Sequence, residues 1–233
     1  PHELQRLLEE DRRRLQYTTS KSLRRAEQSE TLAGYRHAAE RGDADAQFKL
    51  AAAEQGDAAA QFRLGFMYDE GQGVLQDSKE AFAWYRKAAD QGNVYAQYNL
   101  GHMYQMGQGV SRDYEEALAW YRKAADQGHD GAQFILGVMY DIGQGVAQDY
   151  KEALVWYRKA ADQGHDGAQN NLGVMYKNGR GVAQDFKEAF AWYRKAADQG
   201  HDGAQFILGV MYDIGQGVAQ DYKEALVWYR KAA

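Results

Sequence analysis

One spacing constrains this chain more than any other feature, because the same short pattern returns every 36 residues. A fixed period of this length indicates stacked copies of one supersecondary unit. The segment from Ala124 to Ala161 returns letter for letter as Ala196 to Ala233, which indicates recent duplication or deliberate construction. The residues that mark the period are Trp84, Trp120, Trp156, Trp192 and Trp228, each preceded by a Leu-Gly pair from Leu64-Gly65 to Leu208-Gly209.

The first half of a unit predicts an amphipathic helix, here called helix A. In the unit from Ala132 to Gly167, Leu136, Met139 and Tyr140 continue from Ala132 at helical spacing. Asp130, like Asp166 and Asp202 in later units, is expected to cap the start of helix A. Glycines in the "GQGV" motif then end the helix and form a turn.

The second half of the unit predicts another helix, helix B. Asp149 and Glu152 have the spacing of a capping box, and Gly164 provides a left-handed stop. One such hairpin buries too few large side chains to offset the conformational entropy of 36 ordered residues, so neighbouring hairpins must stack. Gly137 lies inside helix A, where glycine is unfavourable, and its recurrence indicates a close helix crossing.

These residues carry a family resemblance. The pattern A-x3-LG-x2-Y-x2-G-x-GV followed by D-x3-A-x2-WY-x2-AA-x2-G resembles the Sel1-like repeat, a relative of the tetratricopeptide repeat. The resemblance implies an all-α fold, a right-handed α-solenoid of stacked helical hairpins that scaffolds protein complexes, with no common catalytic activity. Some secreted members tie each hairpin with a disulfide, and this chain has no Cys.

The resemblance divides the chain into two parts. Residues 58–233 hold five tandem repeats, the last one truncated, and residues 1–57 are expected to form N-terminal helices with a degenerate repeat that cap the stack. The pattern stops before a sixth helix A, so we expect either further repeats or self-association through an uncapped C-terminal repeat.

The five copies allow helix A to be divided into a constant and a variable face. At 100° per residue, the positions shared by all copies span an arc from about 340° to 140°, and the variable positions span about 180° to 300°. Variable aromatic and aliphatic groups are typical of an anchor surface for a peptide or partner helix. The candidate binding residues on this concave, helix-A-lined groove are Phe62, Phe66, Tyr98, His102, Phe134, Val138, Asn170, Val174, Phe206 and Val210.

The same stripe has a second interpretation, in which it packs against helix A of the next unit. The function hypotheses are therefore a non-enzymatic scaffold that binds a protein or peptide, a structural element that self-associates by end-to-end stacking, or an engineered repeat protein without a natural ligand. The invariant Trp-Tyr pairs are expected in the core rather than in a ligand cage.

Composition and spacing argue against other classes of function. Beyond residue 41 the chain has 19 Lys and Arg against 26 Asp and Glu, which is unfavourable for nucleic-acid binding. Repeated His-Asp pairs are expected about 10 Å apart, too far for one metal ion, and no nucleophile elbow or phosphate-binding loop is present. We therefore expect no enzyme activity, metal or cofactor. No apolar stretch is long enough for a transmembrane segment, and bacterial cytoplasm, periplasm and secretion all remain open.

Overall fold

The computed structural model describes residues 55–72 and 74–233, so almost all of the predicted N-terminal cap lies outside the described residues. The described part is all-α and contains ten helices. They are α1 (Ala58–Glu70), α2 (Ser78–Asp90), α3 (Val94–Met106), α4 (Tyr114–Asp126), α5 (Asp130–Ile142), α6 (Tyr150–Asp162), α7 (Asp166–Asn178), α8 (Phe186–Asp198), α9 (Asp202–Ile214) and α10 (Tyr222–Lys231).

Odd-numbered helices are the predicted helices A, and even-numbered helices are the predicted helices B. Successive pairs form the hairpins of an α-solenoid, as the period predicts. The chain forms two compact units, one with the described residues up to Ala96 and Gln108–Val110, the other with Gln97–Gly107 and Ser111–Ala233. In the second unit, α6 packs on both α5 and α7, and α8 packs on both α7 and α9.

The core of each hairpin is formed by the residues that do not vary between copies. In the third repeat, Ala132, Leu136 and Met139 of α5 are completely buried, and Tyr157 of α6 is 1% exposed. Trp156 is 5% exposed, so the Trp-Tyr pair of this repeat lies in the core as predicted, as do the pairs of the second and fourth repeats, whereas Trp84 and Tyr229 are partly exposed.

The glycine inside helix A is required by the helix crossing. A Cβ at Gly101 would lie 2.7 Å from Cδ1 of Tyr121. In the next three repeats the equivalent tyrosine ring lies against Gly137, Gly173 and Gly209. A Cβ at these positions would overlap the tyrosine ring as it is placed, so the close crossing inferred from the sequence is confirmed.

Helix A begins differently from the prediction. In α5 the N-cap residue is His129, whose Nδ1 accepts a hydrogen bond from the backbone N–H of Ala132 at 3.1 Å. Asp130 lies in the first turn instead, where its charge favours the helix dipole. The prediction that the aspartates cap helix A is therefore wrong, and His165 and His201 occupy the same capping position in the last two repeats.

Helix B begins with the predicted aspartate, but without a complete capping box. Asp149 accepts hydrogen bonds from the backbone N–H groups of Lys151 at 2.8 Å and Glu152 at 3.1 Å. Its own N–H donates to the carbonyl of Tyr140 at 2.9 Å, where a capping box would use the glutamate side chain. This bond ties the start of α6 to the end of α5.

The two glycines of the turn have separate roles. Gly143 has φ of 72° and ends α5, and its N–H donates to the carbonyl of Met139. Gly145 has φ of 69° and lies directly against the backbone carbonyl of Tyr114, at the start of the preceding helix B. The turn therefore both closes its own helix and contacts the repeat before it.

Candidate protein-binding face

The candidate residues lie on the variable side of helix A and retain solvent exposure. Within the described residues none of the ten is buried, and His102 and Phe206 are exposed. Phe206 is 54% exposed, which is high for a phenylalanine. Phe62 and Phe66 belong to the first compact unit, and the other eight residues belong to the second.

The aromatic residues of this face are held in short stacks. In the third repeat the ring of Phe134 lies 6.0 Å from the ring of Tyr157 on α6 and stacks at 4.4 Å on the ring of His165. In the second repeat Tyr98 makes the same pair of contacts, at 5.6 Å with Tyr121 and 4.5 Å with His129. Each ring is thus partly covered by a tyrosine and a histidine, and the remaining part is exposed to solvent.

The first unit builds a related stack with different residues. Phe62 lies 5.7 Å from Tyr85 and 5.9 Å from Tyr95, measured between ring centroids. The N-cap at the start of α3 is Asn93, whose side-chain oxygen accepts from Ala96 N at 3.0 Å. An aromatic ring therefore supports Phe62 even though the following cap is not a histidine.

The second row of the face is partly an internal contact; it consists of Phe66, His102, Val138, Val174 and Val210. Val174 is partly buried and packs against the hydrophobic cluster that contains Leu208 and Met211 of the next repeat. The packing interpretation therefore accounts for part of this row, although its residues are not shut off from water. In the aromatic row, the fourth repeat has Asn170 in place of a ring, and its side-chain amide donates to Oδ1 of Asn171 at 3.3 Å.

The structure adds a polar position that sequence reasoning missed. Seven residues after Phe134, Asp141 accepts a hydrogen bond from the hydroxyl of Tyr157 at 3.5 Å. In the second repeat Gln105 accepts from Tyr121 at 2.8 Å. Burial, and secondly the Asp141 charge, raise the pKa of Tyr157, so this hydroxyl stays protonated and remains a donor. The i to i+7 spacing places each acceptor on the same side of helix A as the aromatic ring.

Repeated His-Asp pairs do not form a metal site. In the described ranges no group of three or more His, Cys, Asp or Glu side chains is placed to hold a metal ion. His165 Nδ1 is already engaged with the Ala168 N–H at 3.3 Å, and the Asp166 carboxylate lies 4.0 Å away.

Lysine side chains of the same chain lie over the tryptophan rings. Lys159 Nζ lies 3.8 Å from the ring centroid of Trp156, and Lys195 lies 3.9 Å from Trp192. Because the accessible ring face is covered by an internal ammonium group, it is not available as a cage for a ligand.

None of the helices in residues 55–72 and 74–233 is both long and apolar enough to cross a bilayer.

Comparison with known proteins identifies the repeat. The Sel1 repeat matches residues 58–93, 94–129, 131–165, 167–201 and 203–233. No curated protein matches the chain. Two solved structures resemble it over most of its length. A Sel1 repeat protein from Oxalobacter formigenes is 38% identical with a TM-score of 0.74, over 85% of this chain and 76% of that one.

The second structure is a protective antigen of uropathogenic Escherichia coli that displays an SLR fold. It is 37% identical with a TM-score of 0.79, over 94% of this chain, and the chain spans about half, 48%, of its length. Five consecutive matches cover the hairpins whose cores, crossings and turns are described above. The chain therefore belongs to the Sel1 repeat family.

Proposed function

We propose that this helical scaffold binds a segment of another protein across the helix-A face of its repeats, without catalysing a reaction. The observation that carries the proposal is the contrast between two sets of residues on one helix. Ala132, Leu136 and Met139 of α5 are buried and kept in the later copies, whereas Phe134 and Val138 stay partly exposed on the face that varies. Packing explains the first set fully and the second only in part, because part of the Phe134 and Val138 side chains stays exposed.

The stacks support the proposal because they hold the aromatic rings in place before a partner arrives. Phe134 lies between Tyr157 and His165, so binding would cost little side-chain entropy. Rigid aromatic groups with part of the ring open to solvent are frequent anchors in protein interfaces. The variation from Tyr98 through Phe134 to Asn170 would give each repeat its own contribution to specificity.

The test compares two pairs of substitutions in equivalent repeats. Phe134→Asn with Phe206→Asn removes two rings and introduces the residue that Asn170 shows to fit this position. Val155→Ala with Val227→Ala removes apolar groups on helix B that are 47% and 44% exposed, and serves as the control. Proteins captured from a lysate of the native host should be retained by the wild type and the helix-B variant and lost from the helix-A variant.

A captured protein is then purified and titrated against the same three chains. We expect at least about a tenfold loss of affinity for the helix-A variant, corresponding to about 1.4 kcal/mol, with an unchanged circular dichroism spectrum. Equal binding by all three chains would contradict the proposal. A helix-A variant that unfolds would favour the packing interpretation.

A second candidate function is self-association through the fifth repeat. On α10, Tyr222 and Leu226 are 66% and 49% exposed, so the helix presents an apolar surface that a second copy could cover. Sedimentation velocity of the purified chain over a range of concentrations separates the two functions, because a concentration-independent monomer argues against self-association.

A further inference from the structure

The helix-A face carries charge as well as apolar groups, and the charge has a pattern. In the third repeat Asp130, Phe134, Val138 and Asp141 follow one another at intervals of four, four and three residues, so all four share one stripe of α5. The fifth repeat has the same order of residues, with acidic groups at both ends of an apolar centre: Asp202, Phe206, Val210 and Asp213.

Two of these carboxylates lie near tyrosines that either belong to the aromatic row or pack against it. Burial, and after it the negative charge of Asp130, raise the pKa of Tyr98 in the preceding repeat. Asp141 lies within hydrogen-bond distance of the Tyr157 hydroxyl, at 3.5 Å. Asp130 thus lies near the ring of Tyr98, and Asp141 lies near the tyrosine that packs against Phe134.

The stripe of the fourth repeat departs from this pattern and contains the one basic residue of the three stripes. Asp166 keeps the acidic start, but Asn170 replaces the ring, and Lys177 stands where the neighbouring stripes have aspartate. Across the last three repeats, the described stripes contain five carboxylates and one ammonium group: Asp130, Asp141, Asp166, Asp202 and Asp213 against Lys177.

Most of these carboxylates are not neutralised within the described chain. Asp130 and Asp202 are exposed, and the side chain of Asp166 is 50% exposed. The Asp141 carboxylate is one donor short, because its Oδ1 is shielded from water and accepts no hydrogen bond in the part of the chain that the structure describes. An incoming cationic group would be attracted by the exposed carboxylates of Asp130, Asp166 and Asp202 and by the charge of Asp141, although the protein covers Oδ1 of Asp141 itself.

We infer that the segment bound by this face is basic, with Lys or Arg side chains placed on either side of an aromatic or aliphatic side chain. This rests on the proposed function and specifies the partner. The apolar side chain contacts the ring and the valine of a stripe, and the cationic groups meet the carboxylates at its two ends. Opposite charges on the two partners also accelerate their encounter and exclude acidic segments.

The experiment uses a displayed library of random linear peptides selected on the purified chain. We expect enrichment of peptides in which Lys or Arg flank an aromatic or aliphatic residue. Two enriched peptides are then synthesised with fluorescent labels and titrated by anisotropy against four chains. These are the wild type, Phe134→Asn with Phe206→Asn, Asp141→Asn with Asp213→Asn, and Asp126→Asn with Asp162→Asn.

The last pair is the matched control, because Asp126 and Asp162 are exposed residues at the ends of helices B and their substitution changes the net charge equally. We expect Asp141→Asn with Asp213→Asn to weaken binding about five- to tenfold, and the control by about twofold or less. Asparagine keeps an acceptor for the tyrosine hydroxyl, so the loss reports charge.

Each outcome decides a different question. Enrichment of acidic or uncharged peptides, or equal weakening by both aspartate pairs, overturns the inference of a basic partner. Loss of binding with the phenylalanine pair and not with Asp141→Asn and Asp213→Asn overturns it too, while leaving the proposed face intact. Peptide binding that survives the phenylalanine pair contradicts the proposed function itself.

Discussion

The third and fifth repeats share their sequence over 38 residues counted from Ala124 and Ala196, yet their side chains have different surroundings. Phe134 is partly buried between Tyr157 and the ring of His165, which caps α7 of the fourth repeat. Phe206 keeps the equivalent contact with Tyr229 at 5.8 Å but is 54% exposed. The same residue is therefore half packed where a described repeat follows it and largely open where none does.

Helix B shows the same difference more strongly. Tyr157 of α6 is 1% exposed, whereas Tyr229 of α10 is partly exposed, and Leu154 is partly buried where Leu226 is 49% exposed. Leu136 and Leu208 of helix A are both completely buried. The helix-A core is thus buried without a following hairpin, whereas the outer side of helix B is buried by the next hairpin, as expected for nearest-neighbour stabilisation.

The largest expected effect on stability comes from adding a methyl group at the helix crossing. Gly137→Ala places a Cβ against the ring of Tyr157, which is buried and cannot move aside. Gly209→Ala meets Tyr229, which is partly exposed and has room to shift. We expect Gly137→Ala to lower the free energy of unfolding by about 2 kcal/mol after the helix-propensity gain, and Gly209→Ala by about 1 kcal/mol or less.

Urea denaturation followed by circular dichroism measures both values. The wild type and the variant Gly203→Ala, which changes an exposed glycine near the start of α9, provide the references. Equal losses at Gly137 and Gly209 would show that the neighbouring repeat does not restrain the tyrosine.

A smaller effect is expected at the buried glutamines. Gln133 donates to the Ala125 carbonyl at 3.0 Å and accepts from Gln163 at 2.8 Å, whereas Gln205 donates to Ala197 and its Oε1 has no hydrogen-bond partner among the described residues. Gln133→Leu removes two hydrogen bonds and Gln205→Leu removes one. We therefore expect losses of about 2 and 1 kcal/mol, respectively.

Amide hydrogen exchange locates these losses along the chain. Reduced protection should concentrate at the junction between α4 and α5 for Gln133→Leu, and at the junction between α8 and α9 for Gln205→Leu. A larger loss for Gln205→Leu would break the comparison, because it would mean that the missing acceptor contact is not what separates the two repeats.

The smallest effect is a pH dependence of the histidine that covers the preceding ring. His129 caps α5 through Nδ1 and stacks on Tyr98, and burial lowers its pKa although Asp130 acts in the opposite direction. The neutral imidazole of His129 contributes its full stabilisation above the histidine pKa of the unfolded chain, about 6.5. This contribution is lost as the pH falls through the lower pKa of the folded state. The ring is partly exposed to solvent, so screening keeps the change small.

His129→Asn is the matched variant, because Asn93 makes the equivalent cap to Ala96 N. We expect the stability difference between the wild type and His129→Asn to shift against the wild type as the pH is lowered from about 7 to about 5, across the ordinary histidine pKa. Thermal unfolding at several pH values measures it. A pH-independent difference would show that the imidazole does not act as a neutral acceptor.

Most of the fold could be predicted from the sequence because its signals are local and repeated. The period, the helical spacing of Ala132, Leu136 and Met139, and the glycines of the turn each act within one hairpin. The predicted start of helix A was wrong by one residue, because His129 and Asp130 can both accept from the N-terminal amides and only the backbone angles decide between them.

The candidate face was harder to predict. Angular position identified the variable side of helix A, but it could not separate exposure from contact with the next repeat, as the packing of Val174 shows. The acceptor role of Asp141 depends on a tyrosine hydroxyl 16 residues later. That distance between atoms follows from the helix crossing and cannot be obtained from spacing along one helix.

The second glycine of the turn after helix A affects how the sequences of the repeats can diverge. Gly145, Gly181 and Gly217 lie against the backbone carbonyls of Tyr114, Tyr150 and Phe186. The contact uses main-chain atoms on the preceding helix, so it is the same whether a tyrosine or a phenylalanine supplies them. Side chains elsewhere in a repeat can therefore mutate without changing the offset between neighbours, and new recognition surfaces can evolve on an unaltered frame.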